Sequence, residues 1–125
     1  MERTPPARNL ILKRAFDPPA EADGVRVLVD RLWPRGLRKE AARIDRWMRN
    51  LAPSGELRRW FGHDPERWEE FRRRYEEELG EHPEALEVLR ALAAERPVTL
   101  VFAARNVRHN NAAVLRAMLL RRRRA

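Results

Sequence analysis

Val98-Thr99-Leu100-Val101-Phe102-Ala103 is a run of aliphatic, aromatic and β-branched residues set between two stretches of helical periodicity. A strand buried on both faces is apolar throughout instead of at alternate positions, so this run reads as a central parallel strand with helices over both faces. The flanking segments agree. Upstream, a helix beginning at Pro83 would bury Leu86, Leu89, Leu92 and Ala93 and end at Pro97. Downstream, roughly Val107 to Leu120 would turn Ala112, Leu115, Met118 and Leu119 toward the core.

Further upstream, Asp64 to Leu79 reads as a helix. Asp64 can cap it, Pro65 suits its first turn, and Gly80 can close it in the left-handed conformation. Trp68, Phe71, Tyr75 and Leu79 form its apolar stripe, while Glu69 and Glu70 stand four residues before Arg73 and Arg74. Leu57, Trp60 and Phe61 mark a shorter helix ended by Gly62. The spacing of Ile44, Trp47, Met48 and Leu51 favours a helix over Ala41 to Leu51, with a strand around Trp47 as the alternative. Val25 to Leu32 and Asn9 to Arg14 read as two more strands, separated by the breakers Asp17-Pro18-Pro19 and Asp23-Gly24. The expected architecture is an α/β single domain over residues 1–120, a small three-layer fold with a short, mostly parallel sheet flanked by helices. Residues 121–125 form a basic carboxyl-terminal tail.

The chain has 125 residues, 43% of them hydrophobic, enough for one core without a metal or disulfide. It has no cysteine, which excludes disulfide scaffolds, thiolate metal sites and thiol nucleophiles. No apolar run approaches the roughly 20 residues that span a bilayer, and MERTPPARNL lacks the apolar stretch of a signal peptide. A soluble, cytoplasmic protein with no membrane partner is expected. Net charge is +8, unevenly placed: residues 31–62 carry 9 basic and 3 acidic side chains (+6), residues 63–104 carry 6 and 11 (−5), and residues 105–125 carry 7 and 0 (+7).

Ligands of open α/β sheets gather beyond the carboxyl ends of the strands. Two loops meet that condition: Asp30-Arg31-Leu32-Trp33-Pro34-Arg35-Gly36 after the Val25 strand, and Ala104-Arg105-Asn106-Val107-Arg108-His109-Asn110 after the Val98 strand. They would bring Arg31, Arg35 and Arg105 to one rim, with Arg108 as a further candidate, where guanidinium forks grip phosphate or carboxylate through paired hydrogen bonds. Asp30 would be the lone acid there, and it could equally pair with one of those arginines while Trp33 packs on the sheet edge. His63, at a helix start in Gly62-His63-Asp64, is an acid–base candidate as well as a capping one. His63, His82 and His109 lack zinc-site spacings, so no metal is expected; there is no Gly-rich phosphate loop or nucleophile elbow, and no cofactor is expected.

The run Val27-Leu28-Val29-Asp30-Arg31-Leu32-Trp33-Pro34-Arg35-Gly36, followed by Ala52-Pro53-Ser54, Leu57-Arg58, Phe61-Gly62-His63-Asp64, Phe71, Tyr75, Glu78-Leu79, Thr99-Leu100 and Ala103-Ala104, resembles the successive motifs of the YeaO-like bacterial proteins. The likeness covers about residues 9 to 120. It implies a compact α/β domain but no particular reaction. It also marks Asp30, Arg31, Trp33, Arg35, Ser54, His63, Arg105, His109 and Asn110 as positions of the family's polar motifs. One departure stands out: His109-Asn110-Asn111 occupies a place where many members carry His-Asn-His.

These residues support three functional expectations. The first is a site for an anionic, phosphate- or nucleotide-like small molecule held by Arg31, Arg35 and Arg105 with Trp33, Ser54 and Asn110. Asp30, His63 and His109 are then the catalytic candidates if chemistry occurs. The second is nucleic-acid binding along the two basic stretches, including Arg121 to Arg124. The third is a non-catalytic interaction module using Trp33, Trp47 and Trp60. Sequence leaves the oligomeric state open.

Overall fold

The structure, a computed structural model, describes residues 4–121. Four strands, β1 (Leu10–Arg14), β2 (Val25–Leu28), β3 (Arg46–Trp47) and β4 (Val98–Phe102), form one parallel sheet in the order β1-β4-β2-β3. The run around Leu100 is therefore interior, paired with Leu12 of β1 on one side and Val27 of β2 on the other. All five of its residues are buried.

Side chains alternate across a strand, and that period decides what each face holds. Val98, Leu100 and Phe102 share one face with Leu10, Val27 and Val29, and α2 (Gly55–Phe61), α3 (Trp68–Leu79), α4 (Pro83–Glu95) and α5 (Asn111–Leu120) pack there. Leu57, Tyr75, Leu89 and Leu115 interlock in this main core. Each fully buried side chain of this size contributes roughly 1.5–3 kcal/mol. Arg90 reaches the end of α5 and donates to the carbonyls of Met118 and Leu119, a cation set on the negative end of that helix.

The opposite face is covered more thinly. Leu28, Val101 and Ala15 lie under Trp33, Leu37, Ile44 and Trp47, all from loops or the sheet edge, and the one helix on this side is the single turn α1 (Lys39–Ala42). Helices thus cover one face fully and the other hardly at all. The thin side contains a buried charge cluster in which Asp23 accepts from Lys13 at 3.0 Å and from Arg26 at 2.7 Å. The Arg26 Nε also donates to the Ala42 carbonyl, which ties α1 to β2. Burial pushes the Asp23 carboxyl up, but the Ala20 amide, Lys13 and Arg26 outweigh it and hold the group below its ordinary range.

Four sequence expectations need correction. The segment Ala41 to Leu51 is not a helix: Arg43 turns left-handed (φ 47°) and ends α1, after which Asp45 and Met48 hydrogen-bond to Arg26 and Leu28 and draw Arg46 and Trp47 into the sheet. The helical spacing of Trp47 and Leu51 reflects two separate burials. Gly80 is right-handed (φ −62°), because a tight turn through Glu81 and His82 satisfies the last carbonyls of α3 and leads straight into α4. Strand β2 stops at Leu28 instead of Leu32, with one more ladder bond from Val29 to Val101. Helix α5 begins at Asn111, not Val107, because the Asn106 side chain takes the amides of Arg108 and His109 and Asn110 caps the helix.

Gly24 is required where it stands. Its φ is +62°, and a Cβ there would lie 2.1 Å from the Pro97 carbonyl oxygen. The turn before β2 and the entry to β4 are thereby held in direct backbone contact.

Candidate functional site

The chain leaves β2 toward the thin face, where α1 lies, and leaves the neighbouring β4 toward α5 on the helical face. Adjacent parallel strands whose connections diverge in this way leave a crevice at their carboxyl ends. A cleft of about 1000 Å³ opens there, with Asp30, Trp33 and Arg35 from the loop after β2, Ala103, Ala104, His109 and Asn110 from the loop after β4, and Arg58, Arg59 and His63 from α2 and its end.

Asp30 joins the two loops. One carboxylate oxygen accepts the Ala103 amide at 2.9 Å and the other accepts the Asn111 side-chain amide at 3.0 Å, while that same amide donates to the Val29 carbonyl. Burial pushes the Asp30 carboxyl above its ordinary range, and the bonds from Asn111 and Ala103, with the charge of Arg58, offset only part of that rise. Behind it, Tyr75 donates to the Leu51 carbonyl and is raised well above its usual range by burial, with the charges of Asp30 and Glu78 adding to the effect.

The cationic side of the cleft comes from Arg35, Arg58 and Arg59. All three are exposed, and none makes an ion pair with another described residue. The arginines of α3 behave differently: Arg72 pairs with Glu69 and Glu76, Arg73 with Glu70 and Glu77, and Arg74 with Glu70, whose carboxyl is pushed down to about 2 by Arg73 and Arg74. The cleft therefore holds three guanidinium groups outside any ion pair, with Asp30 as its one acid, beside an α3 whose arginines are paired.

The expected site residues divide into groups. Asp30, Trp33, Arg35, His63, His109 and Asn110 line this one cleft. Asn110 is engaged structurally, accepting from the Ala113 amide and donating to the Asn106 carbonyl. Trp33 donates to the Leu37 carbonyl and meets Trp47 edge-on at 5.6 Å. His109 stacks on Trp68 with ring centroids 4.6 Å apart. His63 adopts a left-handed backbone (φ 58°) directly after left-handed Gly62. Arg31 and Ser54 lie instead at a neighbouring depression with Arg49, Glu78 and His82. Ser54 is a helix cap there, accepting from the Leu57 amide and donating to Glu78 at 2.7 Å. Arg105 and Arg108 are exposed and line neither depression.

Sequence reasoning missed Arg58, Arg59 and Asn111. A signal for Arg58 was present: no acidic residue stands three or four positions from it, unlike the arginines of α3. Among the described residues no group of three or more His, Cys, Asp or Glu could hold a metal ion. No helix among them is long and apolar enough to cross a membrane. Of the basic tail, Arg121 pairs with Glu76, and residues 122–124 lie outside the described residues. Trp47 lies under the Arg49 guanidinium at 3.7 Å and Trp60 between Arg67 and Arg74, so the tryptophans considered for a partner surface are engaged within the fold.

Residues 9–125 match the family described as the inactive DUF488-N3 subclade. An uncharacterized protein of Mycobacterium tuberculosis is 50% identical over 97 residues, covering 78% of this chain and 81% of that protein. Uncharacterized protein YeaO of Escherichia coli is 40% identical over 107 residues, covering 86% of this chain and 93% of its own length. No solved structure matches significantly.

Proposed function

The chain belongs to the YeaO-like proteins of the inactive DUF488-N3 subclade, and from that premise we propose that its strand-end cleft binds a phosphate-bearing small molecule without turning it over. The observation that carries this reading is the set of unpaired guanidinium groups, Arg35, Arg58 and Arg59, around a cavity at the point where the β2 and β4 connections diverge. Arginine suits the role because its planar fork meets two phosphate oxygens at once.

Binding without turnover is favoured by the residues nearest the ends of β2 and β4. Ala103 and Ala104, the first residues to emerge from the central strand, carry no reactive group. The Asp30 carboxylate is already committed to Ala103 and Asn111. The family's description as inactive points the same way.

The test is calorimetric titration of the full chain with phosphate-bearing metabolites, using wild type, the double variant Arg58→Ala/Arg59→Ala, and Arg31→Ala as a control outside the cleft. Saturable binding that weakens at least about tenfold in the double variant, and not in Arg31→Ala, is expected from the loss of two charge-assisted contacts. Equal binding by wild type and the double variant would remove the proposal. Binding of duplex DNA or RNA that falls steeply with salt, without small-molecule binding, would replace it with the polyanion reading.

A further inference from the structure

The cleft is much larger than an inorganic anion requires, and its wall is aromatic as well as cationic. About 1000 Å³ compares with roughly 30 Å³ for one water in the liquid, so a bare phosphate would leave most of the space unfilled. Pockets of this size ordinarily enclose an organic ligand with an apolar body and a few fixed polar contacts.

Three ring systems on the wall are held by the fold. His109 is exposed, and one face of its imidazole lies against Trp68, with planes inclined by 16°. Because His109 is exposed and lines the cleft, imidazole surface is left on which a second ring can stack. Phe61, half-buried, is stacked on Phe71 at 4.4 Å, and Trp33 is fixed by its bond to the Leu37 carbonyl and its contact with Trp47. Rings whose orientation is already set lose little entropy when a planar ligand stacks on them. Leu32, 64% exposed and on the loop after β2, lines the cleft and offers it apolar cover.

We infer that the anion taken by this cleft is attached to a planar aromatic ring, a nucleoside monophosphate being the class that fits, with its phosphate on Arg58 and Arg59 and its base stacked on His109. This rests on the anion-binding reading and narrows it. Aromatic rings accept any nucleobase by its π-face, so the site discriminates for the presence of a base more than for its identity. The backbone of His63 supports the assignment. A non-glycine residue held at φ 58° on the rim of a cleft is a conformation the fold maintains at a cost, and such positions concentrate at ligand sites.

The experiment titrates the full chain with adenosine monophosphate, ribose 5-phosphate and adenosine, using wild type, His109→Ala and His109→Phe. The expected result is that the monophosphate binds about tenfold or more tightly than ribose 5-phosphate, the magnitude one stacked base supplies. His109→Ala should abolish that preference while leaving ribose 5-phosphate affinity unchanged, and His109→Phe, which keeps a flat ring, should retain it. If the monophosphate and ribose 5-phosphate bind equally, or His109→Ala weakens both alike, the ring assignment fails while the anion reading stands. If neither phosphate binds, or adenosine binds as tightly as its monophosphate, both fail.

Discussion

Asp30 and Ala103, 73 positions apart in the chain, are joined by a 2.9 Å hydrogen bond from the Ala103 amide to the Asp30 carboxylate. This bond sets the spacing of the two loops that form the cleft. Asp30→Ala would leave the Ala103 amide and the Asn111 side chain short of an acceptor, at roughly 1–3 kcal/mol. Relief of the desolvated charge offsets part of that loss. The expected outcome is a lower thermal midpoint and faster hydrogen exchange at the Ala103 amide; an unchanged midpoint and exchange rate would show that the loops are spaced by something else.

The Asp23 cluster predicts how the fold responds to acid. Its carboxyl is held below the ordinary value of 3.8 in the folded chain, so the unfolded chain binds the proton more readily. The associated stability is present above about pH 4 and is lost as pH falls through the lower folded value. Asp23→Asn should remove this part of the acid dependence and also cost roughly 3–5 kcal/mol near neutral pH, because it leaves Arg26 buried and unpaired. Urea midpoints for wild type and variant between pH 3 and pH 7 check both signs.

His63→Gly should have opposite effects on stability and binding. Relieving a left-handed non-glycine backbone gains up to roughly 1 kcal/mol, so the thermal midpoint should rise while affinity at the rim falls. A variant that loses stability would show that the His63 side chain holds the loop together.

Gly24→Ala tests the close approach of the turn before β2 to the entry of β4. With a Cβ placed 2.1 Å from the Pro97 oxygen and φ at +62°, the turn must move, and a loss of at least about 2 kcal/mol is expected. Soluble expression with an unchanged unfolding midpoint would count against this tight packing.

Much of the sheet was legible because its residues obey one local rule at a time. The run from Val98 to Phe102 is apolar but for β-branched Thr99, as suits an interior strand, and Pro83, Pro97 and Gly62 mark element ends that depend only on neighbours in sequence. Trp47 obeys no such rule. Its spacing from Leu51 imitates a helix, yet its backbone pairs with Leu28 through contacts that exist only once the sheet forms. The site divided along the same line. Loops leaving neighbouring strands could be foreseen, and Asp30, Arg35 and His109 of those loops line one cleft. Arg58 and Arg59 reach the cleft through the docking of α2 against α3; the lack of acids three or four positions from Arg58 marks it as unpaired within its helix but not which cavity it lines. Arg31, although adjacent to Asp30, leaves the chain toward a different depression.

The ladder of alternating acids and arginines along α3 bears on how fast a ligand arrives. With those charges cancelled within a few ångströms, the helix exerts little pull at a distance, and the strand-end rim becomes a principal source of attraction felt by an approaching anion. Capture should therefore slow as ionic strength rises, while the residence time of a molecule already seated stays nearly constant.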